Sequence, residues 1–352
     1  MTEPVAEGRP SGKKVPRSKR RRLVFSLGLV LGLVVVPIIV LEVAGRLVFR
    51  RALEQFLDID HRMAPNRMDT NSDGIRSSIE PDQVRETEHN IVFLGDSFAY
   101  GYRMPPEEAL PQVFEKKARE ALPEKSIHVF NFGWVTSSPL LSLRLLQDIG
   151  HKYKPDTVML LLDAASDFHD DQKYVRRLER KGVYRLLDFA PATHVFVLMA
   201  TRRFFPEFGE WLLGLPGDRF FVVNAPLDQN REYLSSTVEY IDRIASFAED
   251  ELGADFYLLV IARSIQYTDR ESPANWEAAA YTPLGPYVLE PFRFVDETFS
   301  ERDWEYFSLL DAFQQSEEFP LYFYDDPHWN TAGTDLAADA ILDFCHAHGC
   351  FE

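Results

Sequence analysis

Apolar and polar positions follow one another along this chain in blocks that predict alternating strands and helices. Short, mostly apolar runs predict four strands, at residues 91–94, 127–131, 157–162 and 256–261. Longer stretches with apolar residues at helical spacing predict five helices, at residues 107–122, 140–153, 231–252, 301–313 and 331–346. Strand–helix alternation of this kind predicts an α/β fold with a mostly parallel sheet. The active sites of such folds lie at the carboxyl ends of the strands.

An uncharged apolar run of 19 residues, 23–41, precedes this region. At about 1.5 Å per residue, a helix of this length nearly spans a hydrocarbon core of about 30 Å. We expect a basic cytoplasmic tail (1–22), a transmembrane signal-anchor (23–45), a linker (46–88) and an exported domain (89–352). Val43-Ala44-Gly45 also permits cleavage of a signal peptide, but the run is longer than the usual apolar core of such peptides.

Charge is distributed unevenly between the two parts of the chain. Residues 1–51 have a net charge of +8, and the remaining residues have a net charge of -25. An acidic body argues against nucleic acid as a partner, and the basic tail stands beside an apolar run. The only cysteines, Cys345 and Cys350, favour a disulfide or free thiols over a metal site.

The sequence offers candidate groups for nucleophilic catalysis at two widely separated places. Gly95-Asp96-Ser97 directly follows the first predicted strand, and Asp325-Asp326-Pro327-His328 precedes the last predicted helix. A serine on a strand-to-helix turn, a histidine that deprotonates it and an aspartate that orients the histidine form a serine hydrolase triad. Asp325 and Asp326 both have suitable spacing, so either of them is a candidate for the acid.

These segments resemble the SGNH (GDSL-type) esterase superfamily over roughly residues 90–347. Gly95-Asp96-Ser97 with Gly101 resembles its first block, Asn131-Phe132-Gly133 its second, and Asp325-Asp326-Pro327-His328 its last. The resemblance implies a three-layer α/β/α, flavodoxin-like fold. It also implies roles: Ser97 as nucleophile and first oxyanion donor, Gly133 as second oxyanion donor, and His328 as general base. Ser166 stands where the family has an asparagine, so its hydroxyl is the candidate third oxyanion donor.

Two segments after the third strand carry charge that these blocks do not use. The acidic run 167–171 predicts a solvated loop rather than a metal site. The basic cluster, which we define as Arg176, Arg177, Arg180, Lys181 and Arg185, predicts a solvated helix face or a site facing anionic polymer or lipid headgroups. Residues 172–225, which are rich in aromatic side chains and arginine, are a candidate insertion or cap.

The function that these observations predict is an exported serine esterase that acts on acyl esters, O-acetyl above all, of envelope or extracellular glycans. The alternatives are a polysaccharide O-acetyltransferase with the same triad, a lipase or lysophospholipase, and a non-catalytic glycan-binding envelope protein. We expect a single-pass protein of the inner membrane with its catalytic domain on the periplasmic or extracellular side. The predicted partners are an acylated polysaccharide or lipid substrate, the membrane and an envelope acyltransferase, and we expect no cofactor, metal or nucleic acid.

Overall fold

A single parallel sheet of five strands forms the centre of the molecule. The structure is a computed structural model, and it describes residues 25–26, 28–29, 31–57, 70–205, 208 and 218–352. The strands, in the spatial order β2-β1-β3-β4-β5, are β1 (His89–Gly95), β2 (Ile127–Gly133), β3 (Thr157–Leu162), β4 (Asp255–Val260) and β5 (Glu305–Ser308). All neighbouring strands pair in parallel, so the predicted α/β class is confirmed.

Twelve α-helices surround or precede this sheet within the described residues. Those before the third strand are α1 (Val36–Val48), α2 (Arg50–Leu57), α3 (Ser97–Tyr100), α4 (Leu110–Ala121) and α5 (Pro139–Ile149). Those after it are α6 (Asp167–Leu178), α7 (Pro191–Phe204), α8 (Phe221–Asn224), α9 (Ser235–Phe247), α10 (Glu290–Phe299), α11 (Leu310–Gln315) and α12 (Thr331–His348). A 3₁₀ turn, Gly182–Asp188, connects α6 to α7.

The predicted helix over residues 301–313 is wrong. Strand β5 occupies Glu305–Ser308, and only the short helix α11 follows it. The strand escapes detection because it has four residues, lies at the edge of the sheet and is only partly buried, so it lacks the apolar run of its neighbours. Helix α10, which packs Phe294, Val295 and Phe299 into the core, was not predicted.

Apolar side chains alternate between the two faces of the sheet and fill a separate core on each. Ile91 and Phe93 of β1 join a cluster with residues of α4, α11 and α12. Val92 and Leu94 of the same strand join a cluster with residues of α5, α6, α9 and α10 on the opposite face. Because both faces of the sheet are covered by helices, the architecture is the three-layer α/β/α arrangement that a parallel sheet requires.

The N-terminal apolar helix packs against the folded domain through α7. Residues Leu31–Val48 form a helix that is long and apolar enough to cross a membrane. Its Glu42 carboxylate accepts hydrogen bonds from the amides of Ala192 and Thr193 at 3.3 and 2.8 Å, in the first turn of α7. A Cβ added at Gly45 would lie 2.7 Å from the Ala192 Cβ, so only glycine permits this close approach.

Cys345 and Cys350 are free and buried. Burial raises the pKa of the Cys345 thiol, which is therefore kept in its neutral form. Of the two alternatives that the sequence left open for these cysteines, the structure has free thiols.

Candidate active site

Ser97 lies at the sharp turn between β1 and α3. Gly95 ends β1 with a φ of 154°, and a Cβ there would lie 2.8 Å from the Ala99 Cβ, so the turn requires glycine. Asp96 then caps α3, because its Oδ1 accepts a hydrogen bond from the Phe98 amide at 2.9 Å. The chain reverses so tightly that Ser97 becomes the first residue of α3, at the carboxyl end of β1.

His328 and Asp326 lie on a loop that several hydrogen bonds hold in place. The Ser272 hydroxyl donates to the Asp326 carbonyl at 3.0 Å, and the Phe323 amide donates to the His328 carbonyl at 3.1 Å. Trp329, directly after the histidine, donates its indole N–H to the Tyr322 hydroxyl at 2.9 Å. These contacts fix the backbone on both sides of His328, and Asn330 then caps α12 by accepting from the Gly333 amide.

Ser97, His328 and Asp326 form a continuous chain of hydrogen bonds. Ser97 Oγ lies 2.7 Å from His328 Nε2, and His328 Nδ1 contacts Asp326 Oδ1. A carboxylate can only accept, so the proton of the neutral imidazole resides on Nδ1. Nε2 is then free to accept the proton of the Ser97 hydroxyl, which is the arrangement that a general base requires.

The structure separates the two candidate aspartates. Asp325 has its side chain 59% exposed and forms an ion pair with Arg103, with Nη1 and Oδ1 2.7 Å apart. Asp326 has its side chain 6% exposed and contacts the histidine. Arg103 Nη1 also lies 3.8 Å from Asp326 Oδ2, so its positive charge interacts with both carboxylates.

The two buried aspartates beside Ser97 differ in their electrostatics. Burial by itself would raise the pKa of Asp326, but hydrogen bonding to His328 outweighs that effect and lowers it below its ordinary value. Asp326 is therefore ionised at neutral pH and can stabilise an imidazolium. Burial and the nearby negative charge of Asp163 raise the pKa of Asp96 to about 6.

The amide of Gly133, the second candidate oxyanion donor, forms a hydrogen bond within the protein. Its N–H donates to Asn131 Oδ1 at 2.9 Å, so in this conformation it is not available to a substrate oxygen. A Cβ at this position would lie 2.4 Å from the Tyr100 amide nitrogen. The physical requirement for glycine is thus the close packing of β2 against α3.

In the loop that follows β2, Thr136 has a φ of 66°, which is uncommon and strained for a β-branched residue.

Ser166, the third candidate donor, belongs to a buried ionic network. Its hydroxyl donates to Asp163 Oδ2 at 2.8 Å. Arg263 donates to the same oxygen through Nε and Nη2, at 2.8 and 2.6 Å, and its Nη1 donates to Glu277. Burial would raise the pKa of Asp163, but the charge and hydrogen bonds of Arg263 lower it below its ordinary value. The Ser166 hydroxyl is therefore held by an ionised carboxylate rather than directed at Ser97.

The acidic run after β3 is buried, so the predicted solvated loop is wrong. Asp167, Asp170 and Asp171 lie in the first turns of α6 and have almost no exposed surface. Asp170 forms an ion pair with Arg219 at 3.0 Å, and Asp171 accepts from the Leu140 amide at 3.0 Å. These carboxylates cap and connect helices, which a sequence of adjacent acids does not reveal.

Exposed aromatic side chains stand around the triad, and sequence reasoning missed them. The Tyr102 ring lies 5.0 Å from the His328 ring and is 38% exposed. Trp276 is 65% exposed and lies close enough to Asp326 to help lower the pKa of that carboxyl, while Tyr324 is 71% exposed and directly precedes Asp325 in the chain. The Tyr324 carbonyl accepts from the Ala274 amide at 3.1 Å, which joins the segments that carry these two aromatic residues. Together Tyr102, Trp276 and Tyr324 form what we call the aromatic rim.

Comparisons with known proteins give only distant likenesses. No protein-family model matches the chain, and no curated protein matches it. A lipase/acylhydrolase from Enterococcus faecalis has 15% identity, with 74% of this chain and 96% of that chain covered and a TM-score of 0.43. The esterase EstA from Pseudoalteromonas has 14% identity, coverage of 74% and 98%, and a TM-score of 0.37. An acetylxylan esterase from Geobacillus stearothermophilus has 17% identity, coverage of 72% and 93%, and a TM-score of 0.37. At such distances we interpret the site from its own geometry.

Proposed function

We propose that this chain is a membrane-anchored serine esterase that removes acyl groups, acetyl above all, from ester-linked positions on extracellular or envelope glycans. The observation that supports this most directly is the hydrogen-bonded chain from Ser97 Oγ through His328 to Asp326. The motifs that carry the resemblance to SGNH esterases contribute all three of these residues. Neither the serine nor the histidine needs a metal or a cofactor for this chemistry.

In the first half of the reaction, Ser97 Oγ attacks the carbonyl carbon of the ester while His328 Nε2 takes the hydroxyl proton. Asp326, ionised and in contact with Nδ1, stabilises the imidazolium that forms. The same proton passes to the alcohol oxygen as the carbon–oxygen bond of the ester breaks. The acyl group then resides on Ser97, and the glycan hydroxyl departs.

In the second half, His328 takes a proton from water, and the resulting hydroxide attacks the acyl-enzyme. The proton returns to Ser97 Oγ as the carboxylic acid leaves. The oxyanion of both steps needs donors at the carboxyl end of β1. The Ser97 amide is suited to this role, because amides in the first turn of a helix lack intrahelical partners. The Gly133 amide and the Ser166 hydroxyl bond elsewhere in this conformation.

The aromatic rim favours a glycan as the leaving group. Flat, exposed aromatic faces pack against the C–H face of a sugar ring, and tyrosine and tryptophan add a hydrogen-bonding group at the edge of that face. Tyr102, Trp276 and Tyr324 present such faces beside the histidine, the triad acid and its neighbour, respectively. A lone acetyl group would leave most of this surface uncovered.

The contacts of Glu42 support a retained anchor rather than a cleaved signal peptide. Cleavage after Val43-Ala44-Gly45 would remove the carboxylate that caps α7 and the glycine that packs against it. Ala192 and Thr193 would lose the acceptor of their amides, which lies in a buried contact. These contacts support the proposal that the domain keeps its apolar helix and is held on a membrane by it.

The function is tested with the full chain in detergent micelles. We would measure hydrolysis of p-nitrophenyl acetate, p-nitrophenyl octanoate and an O-acetylated xylo-oligosaccharide by the unmodified chain, Ser97→Ala and Tyr324→Ala. We expect acetate to exceed octanoate, and Ser97→Ala to abolish both. Tyr324→Ala should raise KM for the oligosaccharide but not for p-nitrophenyl acetate, and Phe319→Ala, at an exposed aromatic residue outside the aromatic rim, should change neither. A preference for octanoate would contradict the glycan esterase and indicate a lipase instead.

A further inference from the structure

An exposed phenylalanine stands between the 3₁₀ turn and α7. Phe189 is 67% exposed, directly after Asp188, which ends the turn, and two residues before Pro191, which begins α7. A single exposed apolar side chain is common on any protein surface. Its surroundings decide whether it has a role, and here they include both the anchor helix and a concentration of positive charge.

The level of Phe189 relative to the anchor follows from three contacts. Glu42 caps the first turn of α7, Gly45 meets Ala192, and the rings of Phe49 and Phe196 lie 5.8 Å apart. Helix α7 thus begins beside Glu42 and runs alongside the end of α1. The uncharged run of the anchor ends one residue before Glu42, so the hydrocarbon boundary on the domain side lies near that carboxylate. Phe189, which precedes α7, lies at the same level.

The basic cluster lies next to Phe189 in the chain. Residues 176–188 contain five arginines or lysines and two acids, in a body whose residues 52–352 have a net charge of -25. Arg180 forms an ion pair with Asp188 at 2.9 Å, and Lys181 pairs with Glu179, so the two acids compensate two of the five positive charges and residues 176–188 keep a net charge of +3. Arg185 is exposed, and it forms no ion pair with the residues that the structure describes.

We propose that the segment 180–189 docks on the bilayer, with Phe189 in the acyl-chain boundary and the side chains of Lys181 and Arg185 among anionic headgroups. An aromatic side chain with cations beside it is the combination that binds the interface of an anionic membrane. The proposal rests on the retained anchor of the proposed function. Its consequence is that two attachments, the anchor helix and the segment 180–189, fix the orientation of the catalytic domain on the membrane.

The test measures the depth of nitroxide probes on the full chain in vesicles of phosphatidylcholine and phosphatidylglycerol. Cysteines at Phe189→Cys, Ile39→Cys and Phe319→Cys carry the probe, and the unsubstituted chain, whose two cysteines are buried, gives the background. Collision with oxygen relative to a water-soluble nickel complex reports lipid exposure. We expect the ratio at position 189 to be well above that at 319 and nearer to that at 39.

A second arm tests the charges. Lys181→Glu with Arg185→Glu should lower the ratio at position 189, and this effect should vanish in vesicles of phosphatidylcholine alone. Arg243→Glu with Arg293→Glu, two exposed arginines elsewhere, should leave it unchanged. If the probe at position 189 is as accessible to water as the probe at position 319, while the probe at position 39 lies in lipid, the proposed docking is wrong and the proposed anchor still holds. Water exposure at 39 would overturn the anchor itself, and with it the docking. Loss of esterase activity alone would contradict neither the docking nor the anchor.

Discussion

Two sets of polar side chains meet at the carboxyl edge of the sheet, and they use their charges in opposite ways. The triad of Ser97, His328 and Asp326 is linked in a single line, with the serine hydroxyl at its open end. The network of Asp163, Arg263, Glu277 and Ser166 is closed, because Arg263 binds both carboxylates and Ser166 binds one of them. A chain of hydrogen bonds that ends at an open serine hydroxyl can pass a proton to a substrate. A closed network can only hold in place the loops that carry its residues.

This difference gives a physical criterion for reading the site. Ser97 and Ser166 both follow strands of the same sheet, and both are nearly buried. They differ in the acceptor of their hydroxyl, which is a titratable imidazole for Ser97 and an ionised, arginine-bound carboxylate for Ser166. Only the first acceptor can take the proton at neutral pH.

The change that separates the two sets most strongly is to remove the nucleophile or the base of the triad. Ser97→Ala and His328→Ala should each lower kcat for p-nitrophenyl acetate by about 10³-fold or more, because nucleophile and base act as one unit. The double variant should be no slower than either single variant. Steady-state rates, with circular dichroism to verify folding, measure this. Independent, multiplying losses would contradict a shared mechanism.

The two aspartates provide a matched pair. Asp326→Asn should lower kcat by about 10²-fold or more, because an amide no longer fixes the Nδ1 proton or stabilises the imidazolium. Asp325→Asn removes only an exposed ion pair with Arg103 and should change kcat less than about threefold. Equal losses in the two variants would mean that Asp325 also acts in the triad.

The closed network should respond in stability first. Arg263→Met leaves Asp163 and Glu277 buried without their cation, and we expect a loss of about 3–5 kcal/mol in the free energy of unfolding. Arg302→Met breaks an exposed pair with Asp242 and should cost less than about 1 kcal/mol. Urea unfolding followed by fluorescence distinguishes them, and similar costs would show that the network contributes no more than a surface pair.

Ser166→Ala sharpens the contrast between the two serines. The hydroxyl bonds to an ionised carboxylate, so its loss should cost about 1.5–3 kcal/mol of stability. We expect kcat to fall less than about tenfold, whereas loss of an oxyanion donor typically costs about 10²–10³-fold. A hundredfold loss of kcat at unchanged stability would return Ser166 to the oxyanion hole.

The smallest expected effect is on the pH dependence of stability. Burial raises the pKa of Asp171 to about 6, so the native state binds this proton more tightly than the unfolded state. Stability should therefore rise as pH falls through about 6 and be lost as pH rises again. Asp171→Asn should reduce the difference in Tm between pH 5 and pH 7.5, while Asp343→Asn on the exposed surface should not. An unchanged difference in Asp171→Asn would mean that this carboxylate is solvated.

How far the sequence predicts this molecule depends on whether a signal is local. The strands β1 to β4 are buried apolar runs, and the turn at Gly95 and the Asp-Pro-His loop carry recognisable spacing. Strand β5 was missed because an edge strand that is partly exposed has no such run. The partners of Gly133 and Ser166, Asn131 and Asp163, lie only two and three residues away in sequence. They were missed because the sequence does not show which way these side chains point, and for Asp163 that depends on Arg263, which is 100 residues away.

The choice between Asp325 and Asp326 shows the same limit. Both satisfy a spacing to His328 that permits contact, and the structure decides by burying one and pairing the other with Arg103. The aromatic rim likewise joins Tyr102, Trp276 and Tyr324 from three parts of the chain. Composition cannot show which aromatic residues from different parts of the chain lie at the same site.

The measurement that tests the central claim most directly is active-site labelling of the full chain with a fluorophosphonate, followed by mass mapping of the modified peptide. The probe reacts only with a serine whose hydroxyl is deprotonated by a neighbouring base. We predict one phosphonate per chain, on Ser97, with labelling lost in Ser97→Ala and strongly slowed in His328→Ala and Asp326→Asn. A folded chain that remains unlabelled, or a label on any other serine, would contradict the account.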